Sequence, residues 1–167
     1  PAKAWTKSLP IGNGTLGAMV FGSPSHERLA LNHDELWTGR PKDTVREGAP
    51  EVFDKARSLA LEGKLYEAEE LIEQDFLSVW SQAYMPLGDL ELEFSLKGRV
   101  KDYRRRLDLE KAVAAVEFTC GQKKYKREYF ASYPAKAIGA KLTCEGGTMD
   151  FSVSLTSKLR SNNAIDG

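Results

Sequence analysis

Two hydrophobic periods divide the chain. Around Leu90 the period is two: Leu90, Leu92, Phe94 and Leu96 alternate with Glu91, Glu93 and Ser95, the pattern of a strand with one buried face. Ala114, Val116 and Phe118 repeat it within Ala112 to Cys120, and Cys120-Gly121-Gln122 leads into a further strand from Lys123 to Ser132, so these two are expected to form a hairpin. Ala137 to Cys144 and Met149 to Thr156 read as another pair, turning at Glu145-Gly146-Gly147. Nearer the start, the apolar run Leu16 to Gly22 and the alternating Arg28-Leu29-Ala30-Leu31 read as strand, turn, strand, closed through Gly22 to Glu27. Leu9-Pro10-Ile11 is short and proline-broken. Leu90, Leu92, Phe94, Val116 and Phe118 are expected to face one shared core.

Between these strands the period becomes helical. Val52, Phe53, Ala56, Leu59 and Ala60 share one face of a helix over Pro50 to Glu62, with Pro50 in its first turn and Gly63 as its C-terminal cap. Leu65, Ala68, Leu71, Ile72 and Phe76 repeat the arrangement from Lys64 to Ser78. Two amphipathic helices joined at a glycine form a helical hairpin, expected to pack on or beside the β core. The predicted fold is mainly β, an antiparallel β-sandwich with a helical hairpin inserted over about residues 50–78.

Composition narrows the class of function. The 167 residues suit one domain, or part of a larger one, and 24 Lys+Arg balance 24 Asp+Glu. A neutral chain gives no electrostatic case for nucleic acid or an anionic membrane surface. No apolar stretch approaches the roughly 20 residues of a membrane span. The opening PAKAWTKSLP lacks a signal-peptide apolar region, which favours a cytoplasmic over a secreted protein; the absence of an initial Met suggests a piece of something longer.

Candidate chemistry is sparse. Gly12-x-Gly14-x-x-Gly17, with Asp34 downstream, matches a dinucleotide fingerprint in form, but such a motif must follow a buried strand and open a helix, and Pro24 stops the next segment after one strand. Asn13-Gly14-Thr15 is a glycosylation sequon that a glycine-flanked turn also explains. Cys120 and Cys144 make no disulfide framework and read as free buried thiols. His26 and His33 stand far from both cysteines, so no metal is expected, and no cofactor. Arg104-Arg105-Arg106, with Asp102, Asp108 and Glu110 interleaved, reads as a salt-bridged turn. Asp34 and Glu35 are adjacent and diverge, while Glu91 and Glu93 belong to a solvent face. Neither pair is a catalytic couple, and the catalytic assignment is none.

The tip Asn32-His33-Asp34-Glu35-Leu36-Trp37 admits two readings. A tryptophan beside Asn, His and Asp suits a sugar subsite, the ring stacking on a pyranose and the polar groups fixing hydroxyls. Alternatively Trp37 packs in a core or against a neighbouring domain while Asn32 and Asp34 bond backbone in the turn. Packing is the favoured reading, as it is for Trp5 and Trp80.

LPIGNGTLGAMVFG at Leu9 to Gly22, then Leu31-Asn32-His33-Asp34-Glu35-Leu36-Trp37-Thr38-Gly39-Arg40-Pro41, resembles the opening of glycoside hydrolase family 95, the α-L-fucosidase family. The blocks depart at His33, where that family often has Glu, and at Thr38, where Ser is usual. Tyr84 to Leu90 (YMPLGDL), Tyr103 to Leu109 (YRRRLDL) and Tyr125 to Ser132 (YKREYFAS) are similar to later blocks of the same family, in the same order.

The resemblance implies that residues 1–167 are the N-terminal β-sandwich domain, or most of it, of a larger inverting glycoside hydrolase. Its catalytic (α/α) barrel, in the same chain, would hold the glutamic acid proton donor and the asparagine and aspartate that activate water, so none of these carries over to a position here. The domain would brace the barrel, its partners being that barrel and an oligosaccharide or glycoconjugate substrate. Asn13, Asn32, His33, Asp34 and Trp37 are then candidates for a substrate rim or a domain contact, on one edge of the sandwich. Two alternatives stay open: a free-standing carbohydrate-binding module, and the N-terminal domain of a family 65-type phosphorylase or hydrolase.

Overall fold

Strands of alternating character can bury their apolar faces together by stacking two sheets. The computed structural model, which describes residues 1–40, 42–78 and 82–161, is such a sandwich, with a separate helical unit at Trp37–Tyr84. One sheet has the order β1-β2-β3-β4-β9, from β1 (Leu9–Gly12), β2 (Leu16–Val20), β3 (His26–His33), β4 (Gly88–Phe94) and β9 (Phe151–Thr156). The other runs β5-β6-β7-β8, from β5 (Val100–Asp108), β6 (Val113–Cys120), β7 (Lys123–Ser132) and β8 (Ala137–Glu145). All pairings within them are antiparallel.

The core forms where the alternation places it. Val20, Leu29, Leu92 and Phe94 from the first sheet meet Ala114, Val116, Phe118, Tyr125 and Tyr129 from the second, and Leu90 packs against this cluster. Glu91 and Glu93 lie on the opposite, solvent-facing side of β4, where both approach His26, at 4.0 and 3.4 Å.

Four expectations fail here. Leu9–Gly12 is a strand despite Pro10, because β1 lies at the sheet edge, where a missing N–H is tolerated. The arginine run is a strand as well. β5 carries a register shift between Lys101 and Arg104, with Asp102 at φ 53°, and its inward row includes Arg105, whose guanidinium donates to the carbonyls of Phe21 and Lys7 at 2.8 Å each. A cation serving backbone carbonyls hides the strand's period.

The last two strands do not pair with each other: β8 joins β7, while β9 crosses to β4. Gly146 and Gly147, at φ 88° and 151°, turn the chain out of one sheet toward the other. Fourth, Trp5 is 59% exposed, on a short 3-10 turn ahead of β1. Trp80 lies outside the described residues. Cys120 and Cys144 are free thiols, the first buried and the second half-buried.

The β2–β3 turn is clamped from inside the sandwich. Glu27 and Arg127 are both fully buried, with Glu27 Oε2 3.6 Å from Arg127 Nη1. Glu27 Oε1 accepts the N–H groups of Gly22 and Arg28 at 2.6 and 3.1 Å, and Tyr129 Oη donates to its Oε2 at 3.3 Å. Arg127 donates to the carbonyls of Ser23, at 2.8 Å, and Pro24, while its Cζ sits 3.6 Å above the Phe94 ring. Burial pushes the Glu27 carboxyl above its ordinary range, opposed by the Gly22 N–H and by Arg127. Gly22 has φ 76°, and a Cβ there would come within 2.6 Å of Arg105 Cδ.

In the helical unit, α1 (Ala49–Leu61) and α2 (Leu65–Leu71) are joined around Gly63, and a π-helical turn, Ile72–Phe76, continues α2. Pro50 sits in the first turn of α1, as expected. Ala56 and Ala68 are buried, and Phe53 and Phe76 approach at 6.0 Å between ring centres. Leu65, assigned by period to the apolar face, is exposed. No helix among the described residues is long and apolar enough to cross a membrane.

Candidate functional site

Tight hairpins bring the polar candidates of the β sandwich to one edge. The β1–β2 turn ends where Leu16 pairs with His33 and Gly17 with Asn32. The Asp34 N–H donates to the Thr15 carbonyl at 3.0 Å, so Asn13 and Asn32 to Asp34 share that edge.

Asn13 is committed to structure. Its Oδ1 accepts the Leu16 and Thr15 N–H groups at 2.8 and 3.1 Å, and its Nδ2 donates to the Ser132 carbonyl of the other sheet at 2.9 Å. His33 Nδ1 accepts the Glu35 N–H at 3.2 Å and lies 3.3 Å from Asp34 Oδ1. Trp37 belongs to the helical unit, where it bridges to Tyr84 with the rings 5.0 Å apart and edge to face. It is 46% exposed.

Asn32 also faces a hollow of about 520 Å³ on the outer side of the five-stranded sheet. Register explains the hollow. Met19 pairs with Ala30, Ala30 with Asp89, and Asp89 with Thr156, so these four form one row across β2, β3, β4 and β9; Gly17 and Asn32 form the next row. Gly17 and Ala30 leave the floor low, and Trp5 and Met19 supply apolar walls. Arg28 Nε lies 2.9 Å from Asp89 Oδ1, and its guanidinium covers the Phe21 ring at 4.7 Å.

Sequence reasoning missed this place. Its one legible signal was small Gly17 and Ala30 on the face opposite Leu29 and Leu31. Chemically the hollow is equipped to bind rather than to react, since its one carboxylate is engaged by Arg28. Among the described residues no group of three or more His, Cys, Asp and Glu gathers as a metal site would require.

Residues 1–167 match the family described as Glycosyl hydrolase family 65, N-terminal domain. The chain belongs to that family of glycoside hydrolase N-terminal domains. It is 41% identical to Alpha-L-fucosidase 2 of Arabidopsis thaliana over 164 residues, 95% of this chain and 19% of that protein. It is 29% identical over 160 residues to Probable alpha-fucosidase A of Aspergillus niger, covering 93% of this chain and 20% of that protein. The corresponding protein of Aspergillus oryzae is 32% identical over 151 residues, 84% of this chain and 20% of its own length. The chain thus spans about one fifth of the length of these relatives.

Proposed function

We propose that this chain is the non-catalytic N-terminal accessory domain of a family 95-type α-L-fucosidase, which cleaves terminal α-L-fucosyl linkages with inversion in a helical barrel of the same polypeptide. The observation that carries this reading is the 41% identity to Alpha-L-fucosidase 2 along nearly the whole chain. The five matching blocks, from LPIGNGTLGAMVFG to YKREYFAS, support the same family. Asn13, Asn32, His33, Asp34 and Trp37 serve as its substrate rim or its contact with the barrel. Asn13 does so by fixing the turn, since its amide is already bonded on both sides.

The family description favours a second reading, a family 65-type hydrolase or phosphorylase. The two differ in the sugar released and, where the second is a phosphorylase, in co-substrate. A fucosidase acting by inversion releases β-L-fucose first, at a rate independent of phosphate, which NMR of the initial product detects. A sugar 1-phosphate formed only when phosphate is added would select the second reading.

A further inference from the structure

The outer face of the five-stranded sheet is built differently from an ordinary solvated sheet face. Long polar side chains usually cover such a surface, but Gly17 and Ala30 sit at its centre and leave a hollow of about 520 Å³, within the roughly 300–1,000 Å³ of small-molecule sites. An exposed indole stands at its wall. The turn that carries Trp5 is held at both sides: the Ala2 N–H donates to the Phe21 carbonyl at 2.8 Å, and Arg105 donates to the Lys7 carbonyl at 2.8 Å. The Ser8 hydroxyl and N–H both donate to the Trp5 carbonyl. A large ring on a fixed backbone loses little freedom when a ligand stacks on it.

We propose that this hollow is a binding site for a short neutral saccharide, with Trp5 as the stacking platform and Arg28, Asp89 and Asn32 as the groups that fix hydroxyls. The charges decide the class of ligand. Arg28 and Asp89 neutralise each other at 2.9 Å, and Lys158, the other charge among the lining residues, is exposed and screened by solvent, so the hollow offers donors and acceptors in fixed directions without a strong field that would select an anion. Ala30 adds an apolar floor and Met19 an apolar wall for the C–H face of a pyranose. The proposal does not depend on which glycosidic linkage the parent polypeptide cleaves, and its test involves no catalysis.

The test titrates the natural full-length polypeptide with L-fucose, lactose and cellobiose, each up to tens of millimolar, while hydrogen exchange is followed by mass spectrometry. At least one of these sugars is expected to slow exchange saturably in the peptides that carry Trp5 to Met19 and Arg28 to Ala30. Ala30→Phe fills the hollow while leaving Trp5, Arg28, Asp89 and Asn32 in place, and it is expected to abolish that protection with an unchanged unfolding midpoint. Trp5→Ala should weaken the protecting sugar at least about tenfold, with Trp5→Phe retaining most of the affinity. No protection by any of the three sugars overturns the proposal, as does protection that survives Ala30→Phe. A Trp5 indole inaccessible to oxidative footprinting in the full-length polypeptide before sugar is added would show that another part of the polypeptide covers the hollow, which also overturns it.

Discussion

Arg127 lies 3.6 Å from the Glu27 carboxylate at the centre of the sandwich, and neither side chain is exposed to solvent. The pair ties the β2–β3 turn to the opposite sheet, because the two terminal nitrogens of Arg127 donate to the carbonyls of Ser23 and Pro24. Removing one partner strands the other charge in the core. Arg127→Met should therefore cost about 3–5 kcal/mol in urea unfolding. The double variant with Glu27→Gln should lose less than the sum of the two single losses, because no uncompensated carboxylate then remains.

Glu27 also sets a pH dependence whose sign follows from its raised pKa. A carboxyl with a higher pKa folded than unfolded favours folding when protonated, so its contribution is complete below the unfolded pKa and is lost as pH rises through the folded one. The stability of the wild type relative to Glu27→Gln should fall as pH increases from about 4.5, the ordinary value. A difference that rises over that window would contradict the burial argument.

Phe118 is 1% exposed and stacks on Tyr125 with ring centres 4.9 Å apart. Phe118→Ala should cost about 3–5 kcal/mol in the same unfolding measurement, the loss expected of a large side chain removed from a packed core.

Trp37 and Tyr84 meet edge to face, and their backbones form a bridge that closes the helical unit. In the full-length polypeptide Trp37→Ala should lower kcat/KM or the unfolding midpoint. The effect should correspond to about 0.5–1.5 kcal/mol for the lost ring pair, beyond its buried area. Kinetics measured beside thermal unfolding separates a rim from a brace. If both stay at wild-type values, the residue is neither.

Where one face of a strand is purely apolar, as in Leu90-Glu91-Leu92-Glu93-Phe94, both the strand and its buried side were legible from sequence. β5 was not, because its inward row includes Arg105 and its ladder shifts register near Asp102. Strand adjacency in sequence also misled: β8 and β9 follow one another across two glycines, yet Phe94 pairs with Phe151 in the first sheet and Tyr125 with Cys144 in the second. The edge that gathers Asn13 with Asn32, His33 and Asp34 could be read from turn lengths alone. The hollow could not, since it arises from the mutual register of β2, β3, β4 and β9, and no single segment encodes that. Glu27 and Arg127 went unnoticed because each looks like an ordinary surface charge until the sheets are stacked.

The most direct measurement is release of fucose from an aryl α-L-fucoside, made in parallel on the natural full-length polypeptide and on residues 1–167 alone. The full polypeptide should hydrolyse the substrate, and the 167 residues alone should release nothing above background, because the proposed acid and base belong to the barrel. Hydrolysis by residues 1–167 that disappears when one of their own side chains is replaced would contradict the assignment as an accessory domain, and inactivity of the full polypeptide toward every α-L-fucoside tried would contradict the assignment as a fucosidase.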